Sequence, residues 1–274
     1  MRPILFRLGP VSVPSYGALL VLGLAAAVLI AMALARRHGL RRDDVLALGA
    51  LALGGGVVGA WLLFVLTNLG AIVREPALLL RLRGMVFYGG LAGGAAACAA
   101  YALLLRIPLH ATADLAALVL PVGHAIGRVG CFLAGCCFGS ESHGPFAVRL
   151  PGAGLDPGVA AAATATVHPV QLYEACGLLI VFGVLLGLER WPGRRPFTLV
   201  LAYLAGYSVL RFVVEMFRGD AIRGFVVPGL LSTSQAIAIG SGLAAGALLV
   251  WRHRRARHRR AADSPAANAY NCHR

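Results

Sequence analysis

Apolar residues run along this chain in long blocks separated by short polar breaks. Seven blocks, at roughly 14–35, 44–67, 85–107, 112–135, 169–188, 196–217 and 232–251, approach or exceed the ~20 residues that carry an α-helix across a bilayer. The first has no basic leader and is followed by further spans, so it reads as a helix rather than a cleaved signal peptide. Glycines crowd the end of the fourth. The pattern predicts an all-α integral membrane protein of seven transmembrane helices. One membrane domain, 1–251, would be followed by a basic, disordered tail, 252–274.

Composition supports this. The chain is 59% hydrophobic and 13% charged, where soluble domains average about 25% charged residues. The net charge of +14 raises the question of nucleic acid, but its distribution favours topology. Arginines collect at Arg36, Arg37, Arg41 and Arg42, at Arg190, Arg194 and Arg195, and in RHRRARHRR from Arg252 to Arg260. With seven spans these clusters share one side with Arg106, and the positive-inside rule makes that side cytoplasmic. A weaker basic set, Arg74, Arg81 and Arg83, falls on the other side. The amino terminus is then outside and the carboxyl terminus cytoplasmic, with the tail attracted to anionic membrane lipid. No nucleic-acid partner is expected. Lysine is absent, which excludes Schiff-base and P-loop-lysine chemistry.

Small residues four apart let membrane helices approach closely, and Gly55/Gly59, Gly89/Gly93 and Gly90/Gly94 have that spacing. The stretch 150–167 reads as a flexible outer loop. Polar residues inside the spans carry more information. A mid-membrane arginine costs roughly 2.5–3.5 kcal/mol on insertion scales, so it either snorkels or faces a functional cavity. Arg128 is such a residue, with His124 one turn earlier on the same face. In LRFVVEMFRGD, Arg211, Glu215 and Arg218 fall at i, i+4 and i+7, which suits a buried ion network or an arginine held rigidly for an anion. Both constellations lie toward the outer face. HPVQLYEA opens the fifth span with Pro169 in a first-turn position and His168, Gln171, Tyr173 and Glu174 close together. In FYGGLAGG, Tyr88 precedes Gly89 and Gly90, where a headgroup or a backbone could come close.

Cys131, Cys136 and Cys137 lack the CxxC spacing of a structural zinc site, and no metal is expected. Metal binding with His124 or His143, or pairing of Cys131 with Cys136 or Cys137 on an oxidising face, stays open. Cys98 and Cys176 read as small packing residues.

Taken in order, VPSYG with Tyr16, YGGLAGG, GRVGCF, HPVQLYE, RFVVEMFR and LSTSQ resemble the prolipoprotein diacylglyceryl transferase family along nearly the whole chain. The resemblance implies a bacterial inner-membrane enzyme, multi-pass, monomeric and without cofactor. It would move the diacylglyceryl group of phosphatidylglycerol to the lipobox cysteine of a preprolipoprotein signal peptide, releasing glycerol 1-phosphate. Arg128 and Arg211 match the family's essential arginines, with Glu215, His124 and Tyr88 as further catalytic candidates. Tyr16, Gly89, Gly90, Gly130, Gly139, His168, Gln171, Tyr173, Glu174 and Arg218 would bind substrate. The chain departs from the pattern at Tyr88, where many members have histidine, and at Trp61, where arginine is often seen. It also departs at Cys131, Ala134 and Cys136, which replace two asparagines and an acid. A paralogue with another donor or acceptor, a transporter or lipid-binding scaffold, and a thiol-redox protein are the alternatives.

Overall fold

The computed structural model describes residues 2–9, 11–80, 86–149, 166–218, 225–227 and 230–262. Among the described residues eight α-helices follow the apolar blocks: α1 Ser15–Leu34, α2 Arg42–Thr67, the short α3 Leu69–Arg74, α4 Phe87–Leu104, α5 Leu109–Ala134, α6 Val170–Glu189, α7 Thr198–Glu215 and α8 Thr233–Ala262. Six helical segments among the described residues are long and apolar enough to cross a membrane: Ser15–His38, Arg42–Thr67, Leu109–Ala134, Val170–Glu189, Thr198–Glu215 and Thr233–Arg255. The third sequence block yields the shorter α4, whose 18 residues span about 27 Å.

Among the described residues three two-stranded antiparallel pairs lie outside the spans: β1 Ile4–Leu8 with β2 Val11–Pro14, β3 Val148–Arg149 with β4 Thr166–Val167, and β5 Phe225–Val227 with β6 Leu231–Ser232. The apolar pattern gives no sign of them, because strands of two to five residues are too short for a legible period. The last helix also runs on through the basic segment to Ala262, where an irregular tail is expected from 252. Arginine is a good helix former, and the preceding apolar turns supply the nucleus. The rest of that tail, 263–274, lies outside the described residues. So do Arg81 and Arg83, and most of the expected outer loop.

The chain divides into two compact units, residues 1–25 with 120–274, and 26–119. In the second unit, Ala31, Ala35, Leu40, Val45, Ala111, Leu115 and Val119 form a buried apolar cluster. Here α2 packs on α4 through the expected glycines. A Cβ on Gly59 would lie 2.8 Å from Gly93 Cα, and one on Gly55 would lie 2.7 Å from Ala97 Cβ. These backbones touch because neither side has a side chain to keep them apart. Gly59→Val is therefore expected to destabilise the fold by about 1–3 kcal/mol through overpacking. A lower unfolding midpoint in detergent would show it. Tyr101 closes the same helix pair by donating to Asp44 Oδ1 at 3.2 Å, and Trp61 Nε1 donates to Leu79 O at 3.2 Å.

In the first unit, a Cβ on Gly23 would lie 2.7 Å from Gly123 O, so the start of α1 lies directly on α5. The helices α7 and α8 are joined by Ser208 Oγ and Ser241 Oγ at 2.9 Å. Ala125, Ala175 and Leu178 are buried beneath Val129, Tyr207 and Leu210. The amino-terminal hairpin is tied down at both ends. Arg2 N donates to Leu133 O at 3.1 Å, and the fully buried Ser15 donates from both N and Oγ to Pro3 O.

Candidate active site

Glu174, in the first turns of α6, is the centre of a polar cluster inside the first unit. Its side chain is 2% exposed. Arg128 Nη2, from α5, stands 3.1 Å from Glu174 Oε1 and 3.0 Å from Oε2. Tyr207 of α7 donates its hydroxyl to Oε1 at 3.2 Å, and His124 Nε2 lies 3.6 Å from the same oxygen. Three helices thus place a guanidinium, a phenol and an imidazole around one carboxylate. The i, i+4 spacing of His124 and Arg128 does what the sequence suggests, because both side chains reach the same partner. An unpaired arginine at this depth would be costly, and the carboxylate offsets that cost.

Arg211, four residues after Tyr207 on α7, forms a second ion pair. Its Nη2 lies 2.7 Å from Glu215 Oε2 and donates to Ser234 Oγ at 3.2 Å. Ser234 belongs to the LSTSQ segment, whose helical start is fixed by a capping box. Ser232 Oγ accepts from Gln235 N at 3.1 Å, and Gln235 Oε1 accepts from Ser232 N at 3.1 Å. Arg128 and Arg211 both lie within electrostatic reach of His124 and of Tyr207, so the two ion pairs belong to one cluster. Arg128 Nε and Arg211 Nη1 are buried and have no hydrogen-bond partner among the described residues. Buried guanidinium donors of this kind are suited to a bound anion.

Arg218 does not share the helical stripe expected for it. The helix ends at Glu215 because the chain turns there, and Arg218 N donates back to Glu215 O at 3.2 Å. That turn is gripped by the remaining candidates. Gly139 N donates to His168 O at 2.9 Å, His168 N to Ser140 O at 3.0 Å, and Ser140 N to Phe217 O at 2.8 Å. A Cβ at Gly139 would collide with Phe217 O and lie 2.8 Å from His168 Cβ, so glycine is required by the close approach of three segments. The His168 ring packs edge-on against Phe217, and its Nδ1 is 3.2 Å from the Tyr173 hydroxyl. Pro169 precedes the helix as its cap residue rather than occupying its first turn. Gln171 is buried and donates from Nε2 to Cys136 O.

Tyr16 opens α1, and a Cβ on Gly130 would lie 3.4 Å from Tyr16 Cα and 3.1 Å from Leu19 Cβ. Gly130 is therefore the position that brings α1 against α5. Tyr88, Gly89 and Gly90 belong to the second unit. Tyr88 is more than half exposed there, and Gly89 lies against the Gly59 backbone, so its lack of a side chain serves helix packing. Sequence reasoning missed Tyr207, its stacked neighbour Tyr203 with ring centroids 5.8 Å apart, and Ser234 as the partner of Arg211.

Several long apolar helices enclosing a buried arginine–carboxylate cluster define a multi-pass membrane protein with a polar site in its interior. The chain belongs to the prolipoprotein diacylglyceryl transferase family, whose profile matches residues 3–251. It is 31% identical over 242 residues to the phosphatidylglycerol–prolipoprotein diacylglyceryl transferase of Clostridium tetani, covering 87% of this chain and 93% of that one. The enzyme of the same name from Symbiobacterium thermophilum is 32% identical over 263 residues, covering 92% and 93%. That from Geobacter sulfurreducens is 34% identical over 245 residues, covering 85% and 88%.

Proposed function

We propose that this protein transfers the diacylglyceryl group of phosphatidylglycerol to the thiol of a lipobox cysteine, releasing glycerol 1-phosphate. The observation that carries the reading is the pair of anchored guanidinium groups, Arg128 on Glu174 and Arg211 on Glu215, in a chain of this family. As the glyceryl C–O bond breaks, charge grows on the phosphate oxygen that leaves. Fixed guanidinium donors stabilise that charge more than they stabilise the intact lipid, so they lower the barrier rather than only the substrate's energy. Each carboxylate holds its arginine in place, which leaves the rest of the fork for phosphate oxygens. Glu174 is engaged by Arg128 and Tyr207, which supports reading it as the group that orients Arg128.

The same reading places the protein in the bacterial inner membrane as a monomer with seven crossings, α4 being the shortest. The amino terminus is outside and the arginine clusters are cytoplasmic. The site then opens toward the outer leaflet, where a lipobox cysteine would arrive. Two regions are in keeping with contact to the incoming segment: Tyr16, and the clasp of Gly139, His168 and Tyr173.

The test uses purified protein in vesicles of phosphatidylglycerol with a lipobox peptide. The peptide should gain one diacylglyceryl mass, with stoichiometric glycerol phosphate, and vesicles with a zwitterionic headgroup should give neither. Solute flux with no lipid turnover would overturn the reading. Arg211→Ala should lower kcat by about 10²-fold with little change in KM, because its donor acts on developing charge.

A further inference from the structure

We infer that Cys131, Cys136 and Cys137 form a three-thiolate site for a thiophilic divalent cation, zinc, with a fourth position left for an incoming thiol. The three Sγ atoms all lie within 4.8 Å of one another. Tetrahedral zinc with Zn–S bonds of about 2.3 Å needs thiolates about 3.8 Å apart, so the three have at most about 1 Å to close.

The cluster is assembled by an unusual backbone path. Cys131 lies in the last turn of α5. The chain then passes through Gly135 at φ 78° and Cys137 at φ 63°, two left-handed residues separated by one. Cysteine seldom adopts that conformation, and here the turn brings Cys136 and Cys137 back onto Cys131. The turn is fixed from outside by Gln171, which donates to Cys136 O, and from within by Cys136 N, which donates to Cys131 O at 3.2 Å. None of the three thiols is in a disulfide, and the Cys136 thiol donates to Cys131 O at 3.6 Å. An odd number of converging thiols cannot be satisfied by one disulfide, whereas a single cation engages all three.

The surroundings suit an anionic centre. Zinc with three thiolates carries one net negative charge, and both Arg128 and Arg218 lie within electrostatic reach of Cys137. Cys136 and Cys137 are exposed, so the ion is accessible from solvent. Among the described residues no fourth side chain joins the three, which is the open coordination of a catalytic rather than a structural zinc.

The consequence rests on the transfer reading. A thiol that binds the fourth position loses its proton to solvent and is held as thiolate. Its sulfur then attacks the glyceryl carbon. A C–S bond forms, and the C–O bond breaks with its electron pair passing to the phosphate oxygen. Zinc binding would thus supply the activation that a side-chain base supplies elsewhere.

The test begins with full-length protein purified under reductant, then stripped of metal and titrated with zinc or cobalt. We expect zinc near one equivalent per chain, protecting three of the six cysteines from alkylation as counted by mass spectrometry. Cobalt should give thiolate charge-transfer and tetrahedral d–d absorption, and a lipobox-peptide thiol should shift the d–d bands. Cys136→Ser and Cys137→Ser singly, and the triple serine variant, should lose the absorption while retaining the wild-type unfolding midpoint of metal-free protein. The site is overturned by equal alkylation of all six thiols with and without zinc, by cobalt bands that persist in the triple variant, or by bands unmoved by the peptide. These readouts need no turnover. Metal binding without transfer would sink the transferase reading alone, and transfer at full rate by zinc-free protein would sink the role given to zinc in thiol activation alone.

Discussion

Arg128→Ala is expected to reduce diacylglyceryl transfer by at least about 10³-fold, the upper end of what one preorganised donor contributes to an oxyanion. Two consequences of the geometry make this the largest effect on activity. The substitution removes the guanidinium proposed to meet the phosphate, and it also leaves Glu174 as a buried carboxylate beside Tyr207 and His124. Like-signed charges then confront each other when a lipid phosphate enters. Arg128→Lys should recover little, because Arg128 meets both Glu174 oxygens through Nη2 alone, at 3.1 and 3.0 Å, and keeps Nε and the other arm of its fork for an anion, whereas an ammonium engaged on Glu174 has no second arm. The measurement is initial rate against peptide at saturating lipid. Arg128→Lys at wild-type rate would show that charge alone matters and that the fork does not.

The second large effect is on stability. Glu174→Ala strands Arg128, whose side chain is only 18% exposed, and breaking a buried pair from one side costs about 3–5 kcal/mol. It also removes the acceptor of the Tyr207 hydroxyl. The protein should unfold at markedly lower denaturant than wild type, and transfer should fall with it. Glu174→Gln separates the two effects. It keeps the shape and an oxygen for Tyr207 while losing the charge, so most of the fold should survive and most of the rate should not. Should Glu174→Ala match wild-type stability, the carboxylate cannot be what tethers Arg128.

Six of the seven expected spans were legible in the sequence because hydrocarbon leaves only helices as open-chain solutions and those blocks are long enough to count, whereas the third block gives the shorter α4. The glycine contacts of α2 with α4 follow from spacing alone. Arg128 stood out because charge is expensive in an apolar block, and Glu174 because it sits close to His168, Gln171 and Tyr173 where the fifth span opens. Tyr207 and Tyr203 did not, since a tyrosine within LAYLAGYSVL matches the amphipathic residue common in such helices, and its partner is 33 positions away. Ser234 was hidden for the same reason, being joined to Arg211 only by the pairing of α7 with α8. The stripe drawn through Arg211, Glu215 and Arg218 failed at Arg218 because helical periodicity does not say where a helix stops. The thiol cluster needs left-handed residues at Gly135 and Cys137, and no linear spacing of cysteines announces a turn of that hand.

The buried Ser15 and the bond from Arg2 to Leu133 bear on how the protein is handled in the laboratory. Arg2 and Pro3 are clamped beside the helix that carries Arg128, so an affinity label fused next to them would pull on that clamp. A label placed after Ala262, beyond the last described turn of α8, leaves it untouched. Paired preparations labelled at the two ends should differ in specific activity for this reason alone.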